Sequence, residues 1–144
     1  MDLFEATPPL ETITPLLARA AQSGSRHTRV ATVHIERAYF YAPAQRSVFI
    51  ELPAEDSSDG DVDMVGELRL SLYGTRDAAM NWVATYSEFL TKLGFTMGEA
   101  SPCNFRHTVR NINLTVHGDD FLIVAEANQV KWQLAKMEAE FEIK

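Results

Sequence analysis

Cysteine and positive charge are both scarce in this chain. Cys103 is the single cysteine among 144 residues, which excludes an internal disulfide framework. There are 13 Lys and Arg against 20 Asp and Glu, and a net charge of −7 disfavours binding nucleic acid through overall charge. No apolar run is long enough for a signal-peptide core or a membrane span. The composition predicts an intracellular protein in a reducing compartment, with no membrane partner.

The remaining composition is that of one folded unit. Hydrophobic residues make up 46% of the chain and aromatic residues 10%, which is enough to bury a single core. Residues 54–63 are polar and acidic, and they predict an exposed loop that divides the chain without creating two domains. Local basic charge in the N-terminal half comes from Arg26, Arg29, Arg37 and Arg46.

Three segments carry apolar residues at the spacing of a helix. Thr14-Pro15 reads as an N-cap and first helical position, and that helix is expected to end near Ser23-Gly24. A second helix is predicted from Asp77 to Leu93, with Gly94 suited to its C-terminal cap. A third is predicted from Asn128 to Phe141.

Other segments alternate apolar and polar residues in the period of a strand. The strands are predicted at Val30 to Glu36, Ser47 to Leu52, Cys103 to Thr108, Ile112 to Val116 and Phe121 to Ala125. Because the strands are not separated one by one by helices, the order favours an α+β fold. We expect an antiparallel sheet with the helices packed on one face.

Two adjacent carboxylates, Asp119 and Asp120, lie between the last two predicted strands. Gly118 in front of them supplies the backbone freedom that a tight hairpin requires. Oxygen ligands presented at one point are typical of a divalent-metal site. The alternative from this motif alone is a solvated hairpin turn, in which Gly-Asp is common.

Four ordered segments resemble one known family. They are Leu10 to Ala21, His34 to Phe40, Ser71 to Trp82, and His117 to Asp120. Together they resemble the reverse transcriptase domain of copia-type LTR retrotransposon Pol polyproteins. The resemblance implies a polymerase palm and RNA-directed DNA polymerase activity. It also implies that residues 1–144 form a partial palm of a truncated element, without the N-terminal part of the fingers, the thumb or the RNase H domain.

The resemblance also implies cofactors and partners. In the family, two divalent ions, Mg²⁺ or Mn²⁺, activate the primer 3′-hydroxyl and stabilise the leaving pyrophosphate. Asp119 and Asp120 match two of the three acidic ligands. The implied partners are an RNA or DNA template-primer, a deoxynucleoside triphosphate and the remaining Pol domains. The implied location is the cytoplasm or a virus-like particle.

The first catalytic strand departs from the family pattern. His34 stands where the family carries its first aspartate, and an imidazole does not bridge two hard ions as a carboxylate does. Glu36 is a possible substitute on the same strand face, about 6.5 Å further along. We therefore predict impaired polymerase activity.

The resemblance implies a nucleotide side as well. Tyr39, followed by Phe40, matches the bulky aromatic that rejects a ribose 2′-hydroxyl in the family; otherwise Tyr39 is a half-buried strand residue. Asp77 stands at the position of a family glutamine that helps to place the nucleotide. We expect Arg76 to offset the charge of Asp77.

Two alternatives remain open. In the first, the chain is a catalytically dead palm remnant or a protein-interaction module, in which the ancestral fold persists without chemistry. In the second, His34, His117 and either Asp119 or Asp120 converge to bind a transition metal, because imidazole and carboxylate suit zinc, manganese or iron.

Overall fold

The main sheet has five antiparallel strands, in the order β1-β7-β6-β5-β4. The computed structural model describes residues 10–22, 27–56, 58, 60 and 63–144. Its strands are β1 Thr28–His34, β2 Phe49–Glu51, β3 Val65–Glu67, β4 Thr96–Met97, β5 Asn104–His107, β6 Ile112–His117 and β7 Asp120–Glu126. Its α-helices are α1 Leu10–Gln22, α2 Ala78–Lys92 and α3 Ala127–Glu138, and a 3₁₀ turn covers Ala38–Tyr41.

Helices α2 and α3 pack on one face of this sheet. Trp82 of α2 contacts Phe121 of β7, and Tyr86 contacts both Phe121 and Phe105 of β5. On α3, Trp132 meets the ring of His107. The alternation of a strand puts Phe105 and His107 on the same face of β5. The predicted α+β class, with an antiparallel sheet and helices on one face, is confirmed.

The core beneath this face is aromatic. Trp82 is almost fully buried and makes edge-to-face contacts with Tyr86, Phe121 and Phe141. Aromatic rings combine large buried area with a preference for such edge-to-face geometry. The helical stripe of α2 therefore forms the centre of the fold, as its apolar spacing predicts.

Several predicted boundaries were wrong. Thr14 and Pro15 lie inside α1, since a proline removes one helix hydrogen bond without preventing helix before it. Ser23 and Gly24, predicted as the helix end, lie outside the described residues. Helix α3 ends at Glu138, although Phe141 beyond it is buried in the core.

The strand predictions missed two pairings. The predicted strand at Ser47 to Leu52 contains β2, but β2 pairs with β3 in a separate two-stranded sheet. Neither β3 nor β4 was predicted, because both are only two or three residues long and depend on their partners. The predicted acidic loop lies between β2 and β3, where residues 54–56, 58, 60 and 63 are described.

The C-terminal end of β1 is held from two sides. On one side β1 pairs with β7 along its full length, and His34 is the partner of Asp120. On the other, the His34 N–H donates to Lys144 O at 3.1 Å and the Lys144 N–H donates to His34 O at 2.9 Å. Paired backbone on both sides fixes the position of His34 relative to the β6-β7 hairpin.

Candidate active site

The β6-β7 hairpin turns through two residues, Gly118 and Asp119. Gly118 has φ of +56°, a left-handed conformation that glycine adopts without steric cost at the first central position of such a turn. The indole Nε1–H of Trp82 donates to Gly118 O at 2.9 Å. The Ile35 N–H donates to Asp119 O at 2.9 Å. Both the core and the end of β1 therefore anchor the turn.

His34 and Asp120 face each other across the β1-β7 pair. His34 Nδ1 lies 3.0 Å from Asp120 Oδ1. Because a carboxylate only accepts, the Nδ1–H tautomer of the imidazole donates this hydrogen bond. The side chains are 47% and 66% exposed, so the pair lies at the surface. The fold thus brings His34, at the end of β1, next to the carboxylate pair.

Tyr73 is a member of this site that the sequence reasoning missed. Its hydroxyl donates to Asp119 Oδ2 at 3.2 Å. Partial burial raises the pKa of Tyr73, and the charge of Asp119 and this hydrogen bond raise it further. The only sequence signal was its position inside the family-like segment Ser71 to Trp82.

Three aromatic side chains line the site next to Asp119. Tyr39 stacks on Tyr73 with ring centroids 4.3 Å apart and an interplanar angle of 24°. Phe40 meets the same ring edge-on at 5.8 Å. We call Tyr39, Phe40 and Tyr73 the aromatic wall. Tyr39 lies on the 3₁₀ turn, so its description as a strand aromatic was wrong.

Asp77 has a different cationic partner from the one the sequence indicated. Arg46 Nε lies 3.1 Å from Asp77 Oδ1, whereas the prediction named the neighbouring Arg76. Asn81 Nδ2 lies 3.4 Å from Asp77 Oδ2 and donates to Ser71 Oγ at 3.0 Å. Arg46 lies 31 residues before Asp77 in the sequence. The chain runs out along β2 and returns along β3, which brings the start of α2 back to Arg46.

Glu36 does not extend the strand face of His34. Strand β1 ends at His34, and Glu36 lies in a turn, where its N–H donates to Glu142 O at 2.9 Å. The alternation that would have placed Glu36 beside His34 therefore does not apply.

The donor set of the site is incomplete for a pair of divalent ions. Asp119 and Asp120 supply the oxygen ligands that hard cations select. Across the described ranges of the chain, however, no group of three or more His, Cys, Asp or Glu side chains is arranged to hold a metal ion. Neither Glu36 nor the two histidines His34 and His117 complete such a group. The residues present do not fit a two-ion centre.

Comparison with known proteins identifies the family. A family model described as "Reverse transcriptase (RNA-dependent DNA polymerase)" matches residues 2–144. This chain belongs to that reverse transcriptase family. It is also similar to the retrovirus-related Pol polyprotein from transposon TNT 1-94 of Nicotiana tabacum, at 24% identity over 129 residues. The match covers 88% of this chain and 10% of that relative, so the chain spans about a tenth of the relative's length.

The predicted resemblance to a copia-type reverse transcriptase domain is therefore confirmed. The chain is a reverse transcriptase-like domain of a retrotransposon. Members of this family generally use divalent metal ions, act on nucleic acid and work beside other Pol domains. Within the part of the chain that is described, no helix is long and apolar enough to cross a membrane.

Proposed function

We propose that this chain forms the palm of a copia-type reverse transcriptase in which RNA-directed DNA polymerase activity is impaired by His34. The observation that carries the proposal is the register of β1 and β7, which pairs His34 with Asp120. A residue opposite the carboxylate pair is where a third acidic ligand would complete the site. Asp119 and Asp120 are the proposed metal-ligand positions, and Mg²⁺ or Mn²⁺ the proposed ions.

The chemistry of His34 explains the impairment. A neutral imidazole bonds one metal ion through one nitrogen, whereas a carboxylate bridges two hard ions. In this chain the Nδ1–H of His34 donates to Asp120 instead. When bound, divalent ions would activate the primer hydroxyl and neutralise charge on the leaving pyrophosphate. This donor set lacks the third oxygen ligand for a pair of them.

The proposed nucleotide side is the aromatic wall together with the start of α2. Tyr39 and Phe40 both contact the ring of Tyr73, and Tyr39 fits the role of a sugar gate, because an aromatic ring packed against the sugar leaves no room for a 2′-hydroxyl. Arg46 neutralises Asp77, which reduces the repulsion that this acid would exert on a triphosphate. Arg76 remains a proposed phosphate contact. The proposed partners are template-primer, nucleotide and the other Pol domains, in the cytoplasm or a virus-like particle.

A second candidate is a catalytically inactive palm that serves as an interaction module. The small β2-β3 sheet supports it, because Phe49, Met64 and Val65 are each more than half exposed there. Phe49 and Val65 lie on the two paired strands, and exposed apolar patches are typical of protein-binding surfaces. This candidate requires a folded palm but no nucleotide chemistry.

Template-primer extension separates these candidates. The unmodified chain, His34→Asp and Asp119→Ala would be compared with Mg²⁺ and then with Mn²⁺, after circular dichroism has verified that all three fold. We expect extension above the Asp119→Ala blank only from His34→Asp, because that substitution restores the third carboxylate.

The other outcomes are equally informative. Extension by the unmodified chain that disappears in Asp119→Ala would contradict the impairment and keep the polymerase assignment. Glu36→Gln is then the matched variant, since loss of that extension would identify Glu36 as the substitute ligand. Absence of extension from all three folded proteins leaves two explanations, an inactive palm or a requirement for the remaining Pol domains.

A further inference from the structure

Asp119 is linked through Tyr73 to the aromatic wall. The Tyr73 hydroxyl donates to Asp119 Oδ2 at 3.2 Å, and its ring stacks on Tyr39 at 4.3 Å. Tyr73 therefore contacts both Asp119 of the carboxylate pair and Tyr39 of the aromatic wall. Neither the sequence nor the family resemblance assigns Tyr73 a role of its own.

The surroundings of Tyr73 restrict its motion. Its ring has Tyr39 stacked on one face, and Phe40 approaches edge-on, with an interplanar angle of 77°. The 3₁₀ turn that carries both residues is itself held, because the Ser71 N–H donates to Ala42 O at 2.8 Å. A phenol held by ring contacts presents its hydroxyl in a narrow range of positions, which is the requirement for orienting a second side chain.

Asp119 is held at its backbone as well as contacted at its side chain. Its backbone is fixed by the hydrogen bond from the Ile35 N–H, but its side chain projects from a two-residue turn. Carboxylates that bind metal or substrate are commonly oriented by hydrogen-bond donors outside the ligand set, and loss of such a donor typically costs about 10- to 100-fold in affinity or activity.

We propose that Tyr73 is a positioning residue that orients Asp119 and couples it to the aromatic wall. Naming the wall as the nucleotide side rests on the proposed function. The Tyr73–Asp119 contact itself does not, since it joins two side chains of this chain. A movement of Tyr39 is transmitted through the stacked ring of Tyr73 to the carboxylate of Asp119.

The test is carbon-detected NMR of the metal-free protein labelled at aspartate carboxyl carbons. Asp119→Asn assigns the Asp119 signal, and the Asp120 signal is an internal reference. Tyr73→Phe retains the ring and removes the hydroxyl, so we expect it to shift the Asp119 signal more than that of Asp120. Tyr41→Phe is the matched control, because the Tyr41 hydroxyl accepts a hydrogen bond from the Glu142 N–H at 2.8 Å instead.

A double-mutant cycle tests the coupling. Tyr39→Leu removes the stacked ring, and we expect it to shift the Asp119 signal in the parent protein but not in the Tyr73→Phe background. An Asp119 signal that is insensitive to Tyr73→Phe would overturn the positioning role. An equal effect of Tyr39→Leu in both backgrounds would overturn the coupling.

A functional readout separates this proposal from the proposed function. If His34→Asp extends primers, adding Tyr73→Phe should lower turnover by about tenfold, whereas adding Tyr41→Phe should not. If no variant extends primers, the polymerase activity of this chain is unsupported, and the NMR result still supports or overturns the role of Tyr73.

Discussion

The aromatic core beneath the sheet differs in burial from the carboxylate corner, which is formed by His34, Asp119 and Asp120. The core pairs large buried rings with good edge-to-face geometry around Trp82. The corner is exposed, since the side chains of His34 and Asp120 are 47% and 66% accessible. Core packing determines whether the palm folds, whereas in the proposed function the corner determines whether it reacts.

Trp82 joins the two regions, and its replacement is expected to have the largest effect. Trp82→Ala removes a fully buried ring and the donor to Gly118 O, and should lower the free energy of unfolding by about 3–5 kcal/mol. Urea denaturation followed by circular dichroism measures this loss. His34→Ala is the matched change at the exposed corner and should cost far less. A similar loss from both would contradict the division between core and corner.

Alkaline pH should separate buried from exposed tyrosines. Burial raises the pKa of Tyr86 well above the ordinary tyrosine value of about 10, so the unfolded chain loses this proton first. The stabilisation is therefore complete below about pH 10 and is lost as the pH rises above it. Tyr86→Phe should flatten the alkaline fall in unfolding free energy.

The pKa of Tyr73 at the corner is also raised, but its side chain is 44% exposed. Tyr73→Phe should consequently change the alkaline fall in unfolding free energy less than Tyr86→Phe does. Urea unfolding measured from pH 8 to 11 provides the comparison. If the unfolding free energy falls with pH in the same way in Tyr86→Phe and the parent protein, the burial of Tyr86 does not cause the alkaline loss of stability.

The sequence predicted the fold best where the hydrophobic pattern was long. Helix α2 with the glycine after it, and the β6-β7 hairpin, agree with the structure because each depends on local periodicity and turn chemistry. Strands β3 and β4 were missed since their short segments acquire strand geometry from partners distant in sequence. The predicted end of β1 at Glu36 was two residues too late, because the chain turns after His34 and Glu36 pairs with Glu142 instead.

The site was predictable only in part. The proximity of His34 to the carboxylates followed from the family segments, and the register of β1 with β7 agrees with it. Tyr73 and Arg46 could not be identified, because nothing local indicates a hydroxyl reaching Asp119 or a guanidinium reaching Asp77. Contacts that span many residues depend on the assembled fold, which a single sequence does not specify at this detail.

We propose an intact palm whose metal-ligand set lacks one carboxylate, at His34. Crystals of the parent protein and of His34→Asp, soaked in Mn²⁺ and measured for anomalous scattering, test it most directly. We predict no pair of Mn²⁺ peaks at Asp119 and Asp120 in the parent protein, and a pair beside both residues in His34→Asp with an unchanged backbone. A bound Mn²⁺ pair at the two aspartates of the parent protein would contradict the claim.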